Sequence, residues 1–232
     1  MREALEQGLP RLGLGTELIP ALEAFSRLLL EKNQVMNLTA ITEPGEVARL
    51  HLLDSLSLLP LAGLEEGTVV DVGTGAGFPG VPVAIARPAV QMTLLDSLGK
   101  RVEFLRESCG ALGLANAACV QARAEEFARE HRESFDAALS RAVAALPILC
   151  ELCLPLVKVG GRFLAMKSSH SQEEIDSARR AIEILGGRTA WVRDYTIPGT
   201  EVAHRVVCVE KIRETPERYP RRFAVMKKQR LA

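Results

Sequence analysis

A chain of 232 residues, 47% hydrophobic and 25% charged with no net charge, can hold one large core and falls outside the disordered and fibrous classes. No stretch reaches the roughly 18 uncharged apolar residues that a membrane span requires, and the charged start MREALEQGLPRLG has no signal-peptide core. Five cysteines, an odd number, fit a reducing compartment better than a disulfide framework, so the expected location is the cytoplasm. The charge is unevenly spread. From Lys211 to Ala232 eight Lys or Arg stand against two Glu, giving +6 there and −6 over the first 210 residues. That asymmetry reads either as a basic surface for a polyanion or as a solvated, frayed end.

Residues 17–33 place Leu18, Leu22, Phe25, Leu28 and Leu29 at helical spacing, and a second helical stretch over 46–59 stops at Pro60. These predict an N-terminal helical cap over residues 1–62. Thr68–Val72 is a short β-branched run and reads as a buried strand. Gly73, Gly75, Gly77 and Gly80 then allow a tight turn and a close approach to a ligand, and a helix opens over 81–87. Together these form a cofactor pocket at the carboxyl end of a sheet. Alternation follows: strand 91–97, helix 99–114, strand 117–122, short helix 124–130, strand 135–142, apolar helix 145–158. A turn at Gly160–Gly161, a strand over 162–167 and a polar helix at about 171–185 come next. The strands 189–197 and 204–212 have no helix between them and are expected as antiparallel neighbours. The predicted fold class is α/β: a Rossmann-like seven-stranded sheet over 63–212, its last strands antiparallel, with the cap before it and a basic tail over 213–232.

The glycine turn alone does not choose a cofactor. Gly75-x-Gly77-x-x-Gly80 satisfies the dinucleotide fingerprint, with Asp96 sixteen residues beyond it. Asp71, two positions before Gly73, argues against a nicotinamide cofactor, because a carboxylate is unfavourable beside a pyrophosphate but suits an α-ammonium group. Asp96, at the end of the second strand, can accept hydrogen bonds from both hydroxyls of a ribose, or cap the next helix. The pair suits S-adenosylmethionine. Just after the third strand, Ala124 and Glu125 can reach an adenine ring through a backbone amide and a carboxylate; a plain surface charge is the other reading of Glu125. An NAD-dependent oxidoreductase and a non-catalytic RNA- or ribosome-binding module remain as alternatives.

DVGTGAGFPG, LLDSLGKRVEFL, ARAEEF, SRA and YPRR, with NLTAI (37–41) and HLLDSL (51–56), stand in an order and spacing that resembles the ribosomal small-subunit RNA methyltransferase G family, also called glucose-inhibited division protein B. The resemblance spans most of the chain. It implies a class I, S-adenosylmethionine-dependent methyltransferase acting on N7 of a guanine in 16S rRNA, guanine 527 of the decoding region. The expected partner is that RNA or the small ribosomal subunit, and the chain is expected as a monomer. It also implies cofactor contacts at Gly73, Phe78, Asp96, Ala124, Glu125 and Arg141, beside the Asp71 and Gly75 already singled out. The tail departs from the family: FAVMKKQRLA follows YPRR where a Gly-x-Pro and a Pro-Leu ending are usual.

Guanine N7 is a neutral lone pair, so no general base is expected. Arg141 is placed to bond the cofactor carboxylate or guanine O6, or to form a structural salt bridge. Lys167, Arg205, Arg221, Arg222, Lys227 and Lys228 are candidate phosphate contacts, with Phe223 the one aromatic in the basic run. The four histidines show no metal spacing, and no metal is expected. Cys150 and Cys153 read as core. His51, Asp54 and Ser55 read as a polar helix face that lines the RNA cleft.

Overall fold

The computed structural model describes residues 1–231. Continuous apolar runs, not alternating ones, mark strands covered on both faces, and such runs build most of the sheet. The strands are β1 (Gly67–Val72), β2 (Val90–Asp96), β3 (Ala117–Gln121), β4 (Phe135–Arg141), β5 (Val157–Ser168), β6 (Gly187–Thr196) and β7 (Ala203–Lys211). Their order across the sheet is β3-β2-β1-β4-β5-β7-β6. The first five pair in parallel, and β7 lies antiparallel between β5 and β6. The seven-stranded class and the antiparallel final pair are as the sequence predicts. Strand order reverses between β1 and β4, and a crevice outside the carboxyl ends at such a point is where open α/β sheets bind ligands.

The helices are α1 (Arg2–Gly8), α2 (Ile19–Met36), α3 (Pro44–Val47), α4 (Asp54–Leu56), α5 (Leu58–Ala62) and α6 (Gly80–Ala86). After them come α7 (Gly99–Ala111), α8 (Ala124–Glu130), α9 (Leu146–Cys153), α10 (Gln172–Ile184) and α11 (Phe223–Lys228). Two expectations need correction. The helix predicted over 46–59 is broken by a π-helical turn at Ala48–Leu53, a widening that recurs at functional sites. The helix predicted to reach 158 ends at Cys153, since Pro155 has no N–H to continue it. A short 3-10 turn, Leu154–Leu156, leads into β5. Gly160 and Gly161 lie within β5 at a bulge: Phe135 pairs with Val157 but Ala137 with Arg162, and Gly160 takes φ +88°.

One core layer joins Leu5, Leu22, Phe25, Leu52 and Leu53 of the cap to Val69, Met92, Leu139 and Leu164 of the sheet. Residues 1–62 therefore share a core with the sheet; no packing boundary falls at residue 62. On the opposite face Val70, Val72, Leu149, Phe163 and Ile182 pack with Tyr219 and Met226 from the C-terminal segment. That segment is anchored, which displaces the frayed-end reading. The Arg132 guanidinium donates to the carbonyls of Tyr219 (2.8 Å) and Thr215, and the Thr215 hydroxyl donates to Leu185 O (2.7 Å). Arg221 clasps the buried Glu151 carboxylate through Nε and a terminal nitrogen at 2.7 and 2.6 Å.

Candidate functional site

Beyond β1 the chain turns sharply, and the N–H groups of Gly73 and Thr74 donate to Leu95 O (2.8 and 3.1 Å). Gly73 takes φ +71°, and a Cβ on it would stand 2.6 Å from Val143 Cγ2, so no larger residue fits without displacing the opposite wall. Asp71 lies behind this turn. Its Oδ2 accepts from Thr74 Oγ1 (2.7 Å) and Gly80 N (2.8 Å), while its buried Oδ1 has no partner among the described residues. Burial pushes its carboxyl up to about 6, against the lowering effect of the two hydrogen bonds. Alternation along β1 turns Asp71 to the α6 side with Val69, whereas Val72 faces the cavity. Asp71 holds the turn through Oδ2 and does not itself line the cavity at the strand ends.

A cavity of about 360 Å³ opens at the ends of β1, β2 and β4, walled by Val72, Gly73, Asp96, Arg101, Ala124, Glu125, Val143 and Phe223 among others. Its volume falls in the range of small-molecule sites. Asp96 Oδ2 accepts from Gly75 N (3.0 Å) and Oδ1 from Leu98 N (2.9 Å). It therefore steadies the start of α7, yet each oxygen keeps a lone pair for a ligand hydroxyl. Ala124 opens α8, whose first N–H groups have no intrahelical partner. Glu125 Oε1 accepts from Phe223 N (3.3 Å), which brings the C-terminal segment onto this wall. A carboxylate for a ribose, unpaired amides and an apolar slot at Val72, Leu152 and Phe223 fit an adenine nucleoside. Gly73, Asp96, Ala124 and Glu125 meet there. Gly75, Phe78 and Arg141 do not: Gly75 holds Asp96, Arg141 lines a neighbouring cavity, and the buried Phe78 packs against Arg141 and His51 behind it.

That second cavity, about 330 Å³, adjoins the first through Ala142, which lines both. Ala142 takes φ +56°, a left-handed conformation that non-glycine residues adopt at a cost of order 1–3 kcal/mol and that clusters at functional sites. The centre of the cavity is Asp54, 1% exposed. Its Oδ2 accepts from Arg141 (2.6 Å); its Oδ1 accepts from the Tyr195 hydroxyl (2.7 Å) and His204 Nδ1 (2.8 Å). Burial raises the Asp54 carboxyl, but the His204 hydrogen bond and the Arg141 charge outweigh it and hold it below its ordinary value. Burial, and then the same carboxylate, drives the Tyr195 phenol up. His51, pushed down to about 4 by burial and then by Arg141, stays neutral at physiological pH. Its ring stacks on Phe78 at 4.6 Å, and the Arg141 guanidinium lies 5.1 Å over that phenyl.

The candidate phosphate contacts divide in two. Lys167 bonds Ala144 O (2.8 Å) and Glu174 (2.6 Å), Arg205 is paired twice with Asp194, and Arg221 holds Glu151. Their charges are neutralised within the fold. Arg222, Lys227 and Lys228 are exposed; Arg222 and Lys227 rim a cleft with Arg123 and Arg129 beside the first cavity. Tyr195 and His204 were not legible as site residues. HLLDSL did carry a signal, a His and an Asp one turn apart, but not their partners. Among the described residues no helix is long and apolar enough to cross a membrane, and no cluster of His, Cys, Asp or Glu could hold a metal.

A profile described as rRNA small subunit methyltransferase G matches residues 18–200. The chain belongs to that family. It is 47% identical to the ribosomal RNA small subunit methyltransferase G of Alkaliphilus metalliredigens, over 94% of this chain and 93% of that protein. With the protein of the same name from Pelotomaculum thermopropionicum it is 44% identical, over 100% of this chain and 99% of the other. Among solved structures, M. jannaschii TYW2 in complex with AdoMet shares the fold with a TM-score of 0.53 and 17% identity, covering 64% of this chain and 70% of that one. Membership in the methyltransferase G family makes the chain an S-adenosylmethionine-dependent methyltransferase of small-subunit rRNA. It sets aside both the NAD-dependent and the non-catalytic readings.

Proposed function

We propose that the chain methylates N7 of a guanine in 16S rRNA, acting as a cytoplasmic monomer, with the donor in the Asp96 cavity and the acceptor base in the Asp54 cavity. The observation that carries this reading is the junction of the two cavities at Ala142. When bound, S-adenosylmethionine supplies an electrophilic methyl group. Asp96 accepts hydrogen bonds from the ribose, Ala124 and Glu125 meet the adenine edge, and Phe223 closes the slot against water. Gly73 lets the amino-acid end pass close to the backbone. Asp71 acts through the turn it holds, Gly75 through Asp96, and Phe78 through Arg141.

N7 attacks as a neutral lone pair and no proton leaves first, so the protein's work is positioning. Holding two reactants in line can supply roughly 7–11 kcal/mol in favourable cases. Arg141, fixed by Asp54, donates to guanine O6 without competing for N7. Arg222, Lys227 and Lys228 face solvent beside the donor cavity and are left to meet phosphates, whereas Lys167, Arg205 and Arg221 are spoken for by carboxylates. The test is calorimetric titration with S-adenosylmethionine, followed by methyl incorporation into 16S rRNA that lacks the modification. Asp96→Ala is expected to weaken the cofactor about 10- to 100-fold, the effect of losing hydrogen bonds to a charged acceptor. Unchanged affinity in that variant, or a methyl group on any atom but N7, overturns the reading.

A further inference from the structure

We propose that the Asp54 cavity reads the identity of the acceptor base, with His204 accepting from guanine N1–H while Arg141 donates to O6. Asp54 is the positioning residue for both. The inference rests on the methyl-transfer reading above and adds a recognition residue to it.

The Asp54 carboxylate can only accept hydrogen bonds. His204 Nδ1, at 2.8 Å from Oδ1, must therefore carry a proton, and in the neutral ring Nε2 is then an acceptor. His204 lines the cavity, its side chain is 31% exposed, and Nε2 has no hydrogen-bond partner among the described residues. On the other oxygen, Arg141 spends one terminal nitrogen on Asp54 (2.6 Å) and Leu50 O (3.3 Å). Its second terminal nitrogen has only a long contact to His51 Nδ1, at 3.4 Å, so an N–H is left for a ligand. One carboxylate thus orients a donor and an acceptor that line the same cavity. Tyr195 completes the arrangement by bonding Oδ1 from β6, and Leu50 and Met166 give the cavity apolar surface.

Guanine offers O6, an acceptor, next to N1–H, a donor, and both are matched. Adenine offers an amino donor and an N1 acceptor at the same places, so donor would face Arg141 and acceptor would face His204. Leaving buried polar groups unpaired in this way is what gives a polar site its power to reject an analogue.

The test uses the full chain and small-subunit rRNA lacking the modification, under single-turnover conditions, with cofactor titration alongside. His204→Phe keeps a ring but removes both the Nε2 acceptor and the Nδ1 donor to Asp54, whose Oδ1 keeps the Tyr195 hydroxyl. It is expected to bind S-adenosylmethionine and RNA as the wild type does, yet to transfer the methyl group about 10- to 100-fold more slowly, the discrimination of one good base contact. His204→Gln, which can return an oxygen near the Nε2 position, is expected to recover part of that rate. On RNA with adenine at the target, the gap between the two bases narrows in His204→Phe. Wild-type transfer rates in His204→Phe overturn the inference alone. So does a loss matched by equal losses of cofactor affinity and thermal stability, or no recovery in His204→Gln. Failure of the wild type to bind the cofactor or methylate the RNA overturns the methyl-transfer reading itself.

Discussion

Asp71 keeps a carboxylate fully buried with one oxygen unpaired, and the consequence for stability has a definite sign. Its pKa stands at about 6 in the fold against 3.8 as the ordinary value. Between those values the folded chain holds a proton that the unfolded chain has released, so stability falls as pH rises through that window and stays lower above it. The displacement corresponds to roughly 3 kcal/mol. Asp71→Asn keeps an oxygen for Thr74 and Gly80 and removes the charge. It is expected to be about 1–2 kcal/mol more stable than the wild type at pH 8, net of the amide group it leaves unpaired, with the advantage gone at pH 5. Thermal denaturation at the two pH values checks this, and a variant less stable at pH 8 would mean that the charge is satisfied in the fold. The chemical oddity of a carboxylate before a glycine turn was legible in the sequence. Which side of the sheet it faces was not, because that depends on the pleat of β1 relative to its neighbours.

At the scale of elements, two glycines with opposite surroundings test the turn and the helix beyond it. Gly77 takes φ +99°, and a Cβ there would meet Val81 Cγ2 at 2.7 Å and Leu105 Cδ2 at 2.9 Å. Gly77→Ala is expected to lose about 2–4 kcal/mol, from a disfavoured conformation together with overpacking. Gly110, within α7, has open space around the same position, and Gly110→Ala is expected to gain about 0.5–1 kcal/mol. Urea unfolding of both variants separates the cases. The C-terminal segment supplies a second pair. Arg221→Ala leaves Glu151, 1% exposed, with the residue-221 backbone N–H but without its counter-charge, and is expected to cost about 3–5 kcal/mol. Arg222→Ala is expected to leave stability unchanged while lowering the salt dependence of RNA binding by about one phosphate contact. Equal stability losses in both variants would show that the segment is not anchored at Arg221. In the sequence these adjacent arginines are indistinguishable in charge and setting, and only the buried Glu151 tells them apart. Prolines did not mark helix ends reliably: the stop expected at Pro60 fails, because α5 carries that residue within it and runs on to Ala62, and the pattern was overrun where Pro155 followed a long apolar stretch.

Across the whole molecule, the alternation of strands and helices was legible because each element carries its own periodicity. The Asp96 cavity was legible as a place in the fold, as most of its walls come from successive strand ends. The Asp54 cavity was not, because Asp54 meets Arg141, Tyr195 and His204 across 87, 141 and 150 residues of chain. Local pattern holds no record of such pairings. The same holds for the meeting of Phe223 with Glu125, 98 residues apart. That meeting also has an order in time. Ribosomes build chains from the N-terminus, and Asp96, Ala124 and Glu125 emerge while Phe223 has yet to be added. A partly synthesised chain holds an open groove where the finished one has a walled slot. An enzyme whose substrate is ribosomal RNA thus completes the wall of its Asp96 cavity only after residue 223 has cleared the ribosome that made it.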